Sequence, residues 1–233
     1  MTDLNQAICY HEHGDPFDVL SLANIPFKNL GPREVRIELQ AATIHPSDLG
    51  LIQGSYGKLK ELPSVAGREG VGKIVEVGSD VKEGVLNKVV ALPDGVGAWQ
   101  KYCHANVDEI ILLPALIPYN QLAVSILNPL TAWRLLNDFE YLREGDVIIQ
   151  NAANSAVGLS VIQFAKKLGI TCVNLVRIED RLNDLKSFGA EEVWLDNEDV
   201  PQRIREFTQN KGCAMALNSV GGRSAVRSVS YTH

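Results

Sequence analysis

Hydrophobic and polar positions follow two different rhythms along the chain, and the rhythm changes near residue 122. Before that point, short runs alternate between apolar and polar residues and are rich in β-branched side chains, which is typical of half-buried strands. These runs predict strands at residues 35–43, 71–77, 88–92 and 100–104. Pro and Gly residues separate them, as tight turns require. The first part of the chain is therefore predicted to be a compact β-rich domain.

After residue 122, short apolar runs alternate with stretches of helical period. The runs predict strands at residues 147–150, 172–176, 193–195 and 213–219. The stretches between them predict a helix ending at Gly169, a second ending at Gly189 and a third over residues 200–210. Strands that are each reached through a helix imply right-handed βαβ crossovers and a parallel sheet, so the fold class is α/β.

Composition excludes several classes of protein. The chain has 233 residues, 45% hydrophobic and 21% charged, which is enough for a soluble globular protein with two modest domains. Its net charge of -6, without a basic stripe, argues against a nucleic-acid partner. No apolar run approaches the roughly 20 residues that a membrane span needs. The four cysteines are far apart and are predicted to be buried free thiols.

The N-terminal residues lack an Arg-rich amphipathic stretch, which is the mark of an organellar leader. We therefore expect a cytoplasmic protein, with a mature organellar form left open.

The segment D-V-I-I-Q-N-A-A-N-S-A-V-G, residues 146–158, joins the first predicted strand of the second part to a helix through a turn of small residues. A dinucleotide-binding turn usually has three glycines, and Ala153, Ser155 and Gly158 stand in their places here. A helix in this position directs free N–H groups at phosphates. The segment predicts a nucleotide-phosphate cradle around Asn154 and Ser155. The alternative is a strand–helix turn that binds nothing.

The end of the second predicted strand of this sheet indicates which nicotinamide cofactor is used. An acidic residue about twenty positions past the turn accepts the ribose hydroxyls of NAD, whereas an arginine pairs with the 2′-phosphate of NADP. This chain has Arg177 there, followed closely by Glu179 and Asp180. The sequence favours NADPH, and an exposed, solvated loop arginine is the alternative.

Four further segments carry a family resemblance, together with the cradle and Val176-Arg177. They are H-P-S-D-L-G-L-I-Q-G-S-Y-G at residues 45–57, E-L-P-S-V-A-G-R-E-G-V at 61–71, L-N-P-L-T-A-W-R-L-L at 127–136 and A-L-N-S-V-G-G at 216–222. These segments resemble the medium-chain dehydrogenase/reductases, and among them the mitochondrial-type 2-enoyl-thioester reductases. The resemblance implies a GroES-like catalytic domain, residues 1–122, and a partial Rossmann NADP-binding domain, residues 123–233.

The resemblance also implies roles for single residues. Tyr56 would be the proton donor in the reduction of an α,β-unsaturated thioester, where hydride from NADPH goes to the β-carbon and the proton to the α-carbon. Without the resemblance, a tyrosine between glycines is an ordinary loop aromatic. The implied cofactor contacts are Asn128, Asn154, Ser155, Ala156, Val157 and Arg177. For Asn128 the alternative is a helix N-cap before Pro129.

Zinc alcohol dehydrogenases of the same superfamily hold their catalytic metal with a Cys near the position of His45, a His in a G-H-E segment and a Cys or Asp near Asn128. Here the middle segment is Gly67-Arg68-Glu69, and a guanidinium cannot ligate zinc. The resemblance therefore implies an enzyme without a metal. His45 is expected to be structural or to line the substrate site.

After Gly221-Gly222 the chain reads R-S-A-V-R-S-V-S-Y-T-H, in which we find no helical periodicity, whereas the family continues through two more strands. We expect a C-terminally truncated or frameshifted product. Full-length members would be homodimers, and this chain would not. Two function classes stay open. One is an NADPH-linked, zinc-independent enoyl reductase of fatty acid biosynthesis, or a related quinone or enone reductase; the other is a non-catalytic fragment.

Overall fold

The structure is a computed structural model that describes residues 4–232, with side chains described as far as residue 227. The chain forms two compact units, Met1–Ile126 and Leu127–His233. Their division lies close to the predicted domain boundary at residue 122. Within the described residues, no helix is both long and apolar enough to cross a membrane.

The first unit is built from antiparallel sheets. A five-stranded sheet has the order β7-β3-β5-β6-β8, and a three-stranded sheet has the order β2-β1-β4. Val35, Ile37, Ile74 and Val90 form the centre of its core and are completely buried. The elements are β1 (Leu4–Tyr10), α1 (Pro16–Val19), β2 (Ser21–Pro26), β3 (Glu34–Ala42), α2 (Pro46–Gln53), β4 (Ser64–Val65), β5 (Gly70–Val77), β6 (Val89–Ala91), β7 (Tyr102–Asn106), β8 (Ile111–Leu113) and α3 (Tyr119–Leu122). This arrangement confirms the predicted β-rich, GroES-like domain.

Seven elements of the first unit were not predicted, β1, α1, β2, α2, β4, β8 and α3, and one predicted strand is displaced. The strand predicted at residues 100–104 begins only at Tyr102, because Gln100 makes an isolated bridge to Ala7 instead of joining β7. Helix α2 was not predicted, since its apolar residues do not form a stripe. Pro46 starts it, and the His45 N–H donates to Asp48 Oδ2 at 2.7 Å. Local capping therefore determines α2 more than hydrophobic period does.

The second unit is a Rossmann-type parallel sheet of the order β11-β10-β9-β12 with connecting helices. Ile148, Ile149, Val173 and Leu175 from the two central strands are buried. The elements are α4 (Leu127–Asn137), β9 (Val147–Gln150), α5 (Ala156–Lys167), β10 (Thr171–Val176), α6 (Asp180–Ser187), β11 (Glu192–Leu195), α7 (Val200–Phe207), β12 (Met215–Leu217) and α8 (Gly222–Thr232). The predicted α/β class and parallel sheet are confirmed.

The third predicted helix ends earlier than expected. It was predicted to reach residue 210, but α7 ends at Phe207. Thr208 Oγ1 donates to Ile204 O at 2.8 Å and accepts from Gly212 N at 3.0 Å, and Gln209 and Asn210 turn the chain with positive φ. This side-chain cap stops the helix, a device that hydrophobic period does not reveal.

The expectation that the tail after Gly222 lacks a helix is wrong, because α8 runs from Gly222 to Thr232. Its first turns are held by tertiary hydrogen bonds. Ser224 Oγ donates to Asp196 Oδ2 at 2.7 Å, and Arg227 pairs with Asp196 at 2.5 Å. The apolar residues of α8 also recur at helical period, so the sequence prediction overlooked a local signal.

Candidate functional site

The cradle, residues 151–158, follows β9 directly and leads into α5. Ala153, at the first glycine position, is completely buried and packs with Ile162, Val176 and Leu185. Its N–H donates to Leu175 O at 3.3 Å. The methyl group therefore joins the core of the unit, and the turn closes without a glycine there.

Gly158 is the one glycine of the motif that the cradle retains, and the packing explains why. A Cβ at this position would come within 2.5 Å of Ala153 O, a backbone atom that cannot move aside. Gly158 O also accepts from Gln150 Nε2 at 3.0 Å, and the same amide donates to Asn174 Oδ1 at 2.7 Å. Close approach of helix α5 to the turn thus requires glycine here.

Ser155 is the N-cap of α5. Its Oγ accepts from Gly158 N at 3.1 Å, and the first intrahelical bond runs from Leu159 N to Ser155 O at 2.8 Å. The N–H groups of Ala156 and Val157 precede that bond, so they are free to bind a ligand at the positive end of a 12-residue helix. Asn154, Ser155 and Ala156 are exposed at the surface. The cradle therefore fits a phosphate group.

Arg177 follows the last residue of β10 and is exposed. Because β9 and β10 are parallel neighbours, the cradle and Arg177 lie at the same edge of the sheet. Among residues 4–227 no ion pair involves Arg177. Glu179 is the N-cap of α6 and Asp180 its first residue, and both are exposed. The guanidinium is thus available for an anion beside the cradle, as the side chain that would select a 2′-phosphate.

Asn128 is the second residue of α4, so the alternative N-cap role does not apply. Its Nδ2 atom is buried and has no hydrogen-bond partner among the described residues. A buried donor without an acceptor is costly, and a bound cofactor or a water would satisfy it. The cradle and Arg177 fit the phosphate groups of a nicotinamide dinucleotide, and Asn128 stays a predicted contact.

Tyr56 belongs to the first unit, while the other six predicted site residues belong to the second. It lies in the Tyr56 loop, residues 54–57, where Gly54 and Gly57 have φ of 79° and 63°. A Cβ at Gly50 would come within 2.8 Å of Tyr56 Cβ, so the tyrosine packs directly on α2. Half of its surface, 52%, is exposed. The phenol is therefore accessible to a substrate.

Charged side chains surround the Tyr56 loop. Arg68 donates to both carboxylate oxygens of Asp94 at 3.2 Å, and this bond, with smaller contributions from Asp48 and Tyr56, raises the pKa of Arg68. The bond to Arg68 likewise lowers the pKa of Asp94. Burial lowers the pKa of Lys60, whose Nζ donates to Val65 O at 3.4 Å. A permanent positive charge therefore lies within electrostatic range of the phenol.

The residues at the zinc positions do not fit a metal. Arg68 is engaged by Asp94, and His45 Nε2 lies 2.7 Å from Glu69 Oε2, which gives the histidine a structural partner. All four cysteines are buried and free, and burial raises the pKa of Cys103 and Cys213 to about 12. Within residues 4–227, no group of three or more His, Cys, Asp or Glu side chains is arranged to hold a metal ion.

The sequence did not reveal the side chains that brace the cradle. Gln150 and Asn151 are buried at the end of β9, and Asp196 and Ser224 lie at the same edge of the sheet. A polar residue inside an apolar strand, such as Gln150 or Asn174, was the one available signal.

Each of the two units matches a known protein family. Residues 31–115 match the alcohol dehydrogenase GroES-like domain, and residues 156–233 match the zinc-binding dehydrogenase family. A putative NADPH:quinone reductase from Bacillus thuringiensis is 30% identical with a TM-score of 0.89, over 97% of this chain and 68% of that one. The chain belongs to the medium-chain dehydrogenase/reductase superfamily.

Within this superfamily the chain is similar to mitochondrial-type enoyl reductases. The mitochondrial enoyl-[acyl-carrier-protein] reductase of Xenopus tropicalis is 40% identical over 229 residues, which are 94% of this chain and 64% of that protein. The Etr1p/NADP/crotonyl-CoA complex, of the Candida tropicalis enzyme, has a TM-score of 0.87 at 29% identity, over 96% of this chain and 71% of that one. The chain thus spans less than two thirds of the length of the curated relatives it matches.

The predicted cytoplasmic location is wrong. The Xenopus relative and the other curated relatives are named as mitochondrial proteins. Composition and the first residues do not distinguish a mature mitochondrial matrix protein from a cytoplasmic one, because both fold in a neutral, reducing compartment.

Proposed function

We propose that this chain carries the catalytic and cofactor-binding parts of a zinc-independent, NADPH-dependent 2-enoyl-thioester reductase that acts in mitochondrial fatty acid biosynthesis. The observation that carries the proposal is the 40% identity to a mitochondrial enoyl-[acyl-carrier-protein] reductase over 94% of this chain. The geometry of the cradle and of the Tyr56 loop supports it.

The cofactor side of the proposal rests on the second unit. Bound NADPH would supply a hydride for the β-carbon of the substrate. The N–H groups of Ala156 and Val157, with the side chains of Asn154 and Ser155, would hold its pyrophosphate. Arg177 would pair with the 2′-phosphate, and the orphaned Nδ2 of Asn128 would donate to the nicotinamide half.

The proton-donor side rests on Tyr56. Hydride addition at the β-carbon leaves enolate charge on the thioester oxygen, and a phenol can donate a hydrogen bond to it and then protonate the α-carbon. Tyr56 is exposed enough to meet the substrate and is held by a turn of two left-handed glycines. Arg68 interacts electrostatically with Tyr56, while its principal partner is the carboxylate of Asp94.

The zinc-independent part of the proposal follows from the donor set. Arg68 stands where a metal-binding histidine would be needed. Its guanidinium is bonded to Asp94, and the neighbouring His45 is bonded to Glu69. The phenol of Tyr56, by donating a hydrogen bond to the thioester oxygen, would supply the stabilisation that a Lewis acid supplies in other members of the superfamily.

A quinone or enone reductase is the second candidate. The similarity to a putative NADPH:quinone reductase, with a TM-score of 0.89, favours it. It would need the cradle and Arg177 in the same way, but it would not need a proton delivered to an α-carbon.

Isotope transfer tests the proposal. The chain is incubated with crotonyl-CoA and NADPH carrying deuterium at C4, and the product is analysed by mass spectrometry and NMR. We expect butyryl-CoA with deuterium at the β-carbon, and in D2O a second deuterium at the α-carbon. A parallel assay replaces crotonyl-CoA with a benzoquinone. Reduction of the quinone without reduction of crotonyl-CoA would favour the second candidate, and consumption of neither would refute the proposal for this chain.

A further inference from the structure

Five polar side chains of the second unit form a continuous hydrogen-bonded series across the carboxyl edge of its sheet. The amide Nδ2 of Asn151 donates to Asn218 Oδ1 at 2.6 Å and to Ser224 Oγ at 2.8 Å. Ser224 Oγ donates in turn to Asp196 Oδ2 at 2.7 Å, and Arg227 donates to Asp196 Oδ1 at 2.5 Å. We call these residues, Asn218, Asn151, Ser224, Asp196 and Arg227, the strand-end series.

The strand-end series joins elements that are far apart in sequence. Asn151 follows β9, Asp196 follows β11 and Asn218 follows β12, while Ser224 and Arg227 lie on α8. The strand-end series therefore links the ends of three strands to one helix through side-chain hydrogen bonds. The inner members are shielded from water, with Asn151 6% and Ser224 8% exposed.

Asn151 is also the first residue of the cradle, and its side chain uses both of its polar atoms. Besides the two bonds from Nδ2, its Oδ1 accepts from Ser219 N at 2.7 Å, and its backbone N–H donates to Leu217 O at 3.1 Å. Asn218 Oδ1 further accepts from Val220 N and Gly221 N at 3.2 and 3.1 Å. The start of the cradle is thus bound to the turn before α8.

The next residue of the cradle adopts a conformation that needs such support. Ala152 has a φ of 49°, in the left-handed region that is strained for a residue with a side chain. A strained residue persists only where the surrounding structure determines its conformation. Both polar atoms of the side chain of Asn151, the residue before it, are hydrogen-bonded, and Ala153, the residue after it, is completely buried.

We infer that Asn151 and Ser224 are positioning residues for the dinucleotide cradle, and that α8 acts through the strand-end series to hold the cradle in its ligand-ready conformation. The inference rests on the proposed cofactor role of the cradle. In this arrangement α8 touches no part of the ligand. It fixes Asn151, which keeps Ala152 in its left-handed turn and the first N–H groups of α5 directed outward.

Two substitutions and one control test the inference. Ser224→Ala removes the hydroxyl that links Asn151 to Asp196, and Ser224→Thr keeps it. Ser187→Ala is the matched control, since it deletes a hydroxyl that donates to Asp184 O at 2.6 Å at the exposed end of α6. Hydrogen exchange of the ligand-free protein is followed at residues 151–158 and in α8, and NADPH affinity is measured alongside.

We expect Ser224→Ala to speed exchange at residues 151–158 as well as in α8, and to raise the Kd for NADPH about fivefold to a hundredfold. Ser224→Thr and Ser187→Ala should both behave as the wild type. Faster exchange in α8 alone, with the cradle unchanged, would overturn the inference. The same holds if Ser187→Ala had an equal effect on the cradle.

A double-mutant cycle separates positioning from general loss of stability. If Asn151 and Ser224 act in one series, Asn151→Ala combined with Ser224→Ala should change exchange in the cradle little more than the more severe single variant does. Additive effects would contradict a shared series. If Ser224→Ala failed to fold, Arg227→Gln, at a less buried position of α8, would take its place in the exchange measurement, with the same two outcomes. If the chain reduced no enoyl thioester, the proposed function would be refuted. The exchange measurement would still test the inference, because it is made on the ligand-free protein.

Discussion

The cradle in the second unit and the Tyr56 loop in the first are built on opposite principles. Buried amides, among them Gln150 and Asn151, brace the cradle from several strands and a helix. The Tyr56 loop is shaped by two left-handed glycines and is held to α2 by backbone bonds, from Ser55 N to Gly50 O at 2.9 Å and from Gly54 N to Leu51 O at 3.1 Å. The cradle is thus braced by buried side chains, whereas the Tyr56 loop is braced by local backbone bonds and its tyrosine stays half exposed, so we expect the cradle to be the more rigid of the two.

The largest effect that would test this contrast is on turnover. Tyr56→Phe should lower kcat by about 10²–10⁴-fold, because the phenol is proposed as the only proton donor in the loop. NADPH affinity and Tm should stay as in the wild type, since the hydroxyl is exposed and the cradle lies in the other unit. Tyr119→Phe, which removes a phenol hydroxyl elsewhere in the first unit, is the control. Full activity of Tyr56→Phe would disprove the assigned role.

For a substitution in the cradle we expect the opposite result, a loss of stability and of NADPH affinity. Gly158→Ala places a methyl group within 2.5 Å of Ala153 O, so it should destabilise the protein by about 1–3 kcal/mol and weaken NADPH binding about tenfold or more. Gly84→Ala strains a left-handed glycine of the first unit, where the methyl meets nothing within 4 Å, so it controls for a general loss of stability and should leave NADPH affinity unchanged. Calorimetry and equilibrium titration measure both quantities. Unchanged NADPH binding by Gly158→Ala would show that the cradle is not the phosphate site.

Choice of cofactor should change with Arg177. Removing this guanidinium takes away a charge-assisted bond to the 2′-phosphate, so Arg177→Ala should weaken NADPH about tenfold and leave NADH unaffected. Arg181→Ala, which breaks an exposed pair with Asp184 at 3.1 Å, should change neither. Equal loss of both cofactors would count against a role in selecting the 2′-phosphate.

The smallest expected effect concerns pH. The bond from Arg68 lowers the pKa of Asp94 below its unfolded value, so the pair stabilises the fold above the unfolded pKa of about 3.9 and this contribution is lost as the pH falls through the folded pKa. Because Asp94 is largely exposed, the effect on Tm should be slight. Thermal scans between about pH 5 and 3 should show a smaller decline for Asp94→Asn than for the wild type. A steeper decline in the variant would contradict this sign.

Hydrophobic period located the two central strands of the second unit well because both are buried along almost their whole length, whereas the edge strand β12 covers only residues 215–217 of the 213–219 predicted. Strand β9 matches its predicted limits of residues 147–150, and α5 stops beside Gly169, whose φ is 69°. The prediction missed α8 although its apolar residues recur at helical period, and it could not show that Ser224 and Arg227 of this helix contact Asp196. Contacts between distant residues leave no local period, so a single sequence does not disclose them.

For the site, small residues at the start of α5 and the arginine after β10 were enough to predict the cradle. Ala153 occupies a position where the motif usually has glycine, and in the structure its side chain packs in the core. The residues that hold the cradle, Asn151 and Ser224, carry no motif of their own. They are recognised only when their hydrogen bonds to each other are seen.

Binding of NADPH to the chain itself tests the central claim most directly. Tryptophan fluorescence is followed while NADPH, and separately NADH, is added to the wild-type chain and to Arg177→Ala. The account predicts saturable quenching by NADPH, weaker quenching by NADH, and loss of the preference for NADPH in Arg177→Ala. No response to either cofactor at millimolar concentration would contradict it.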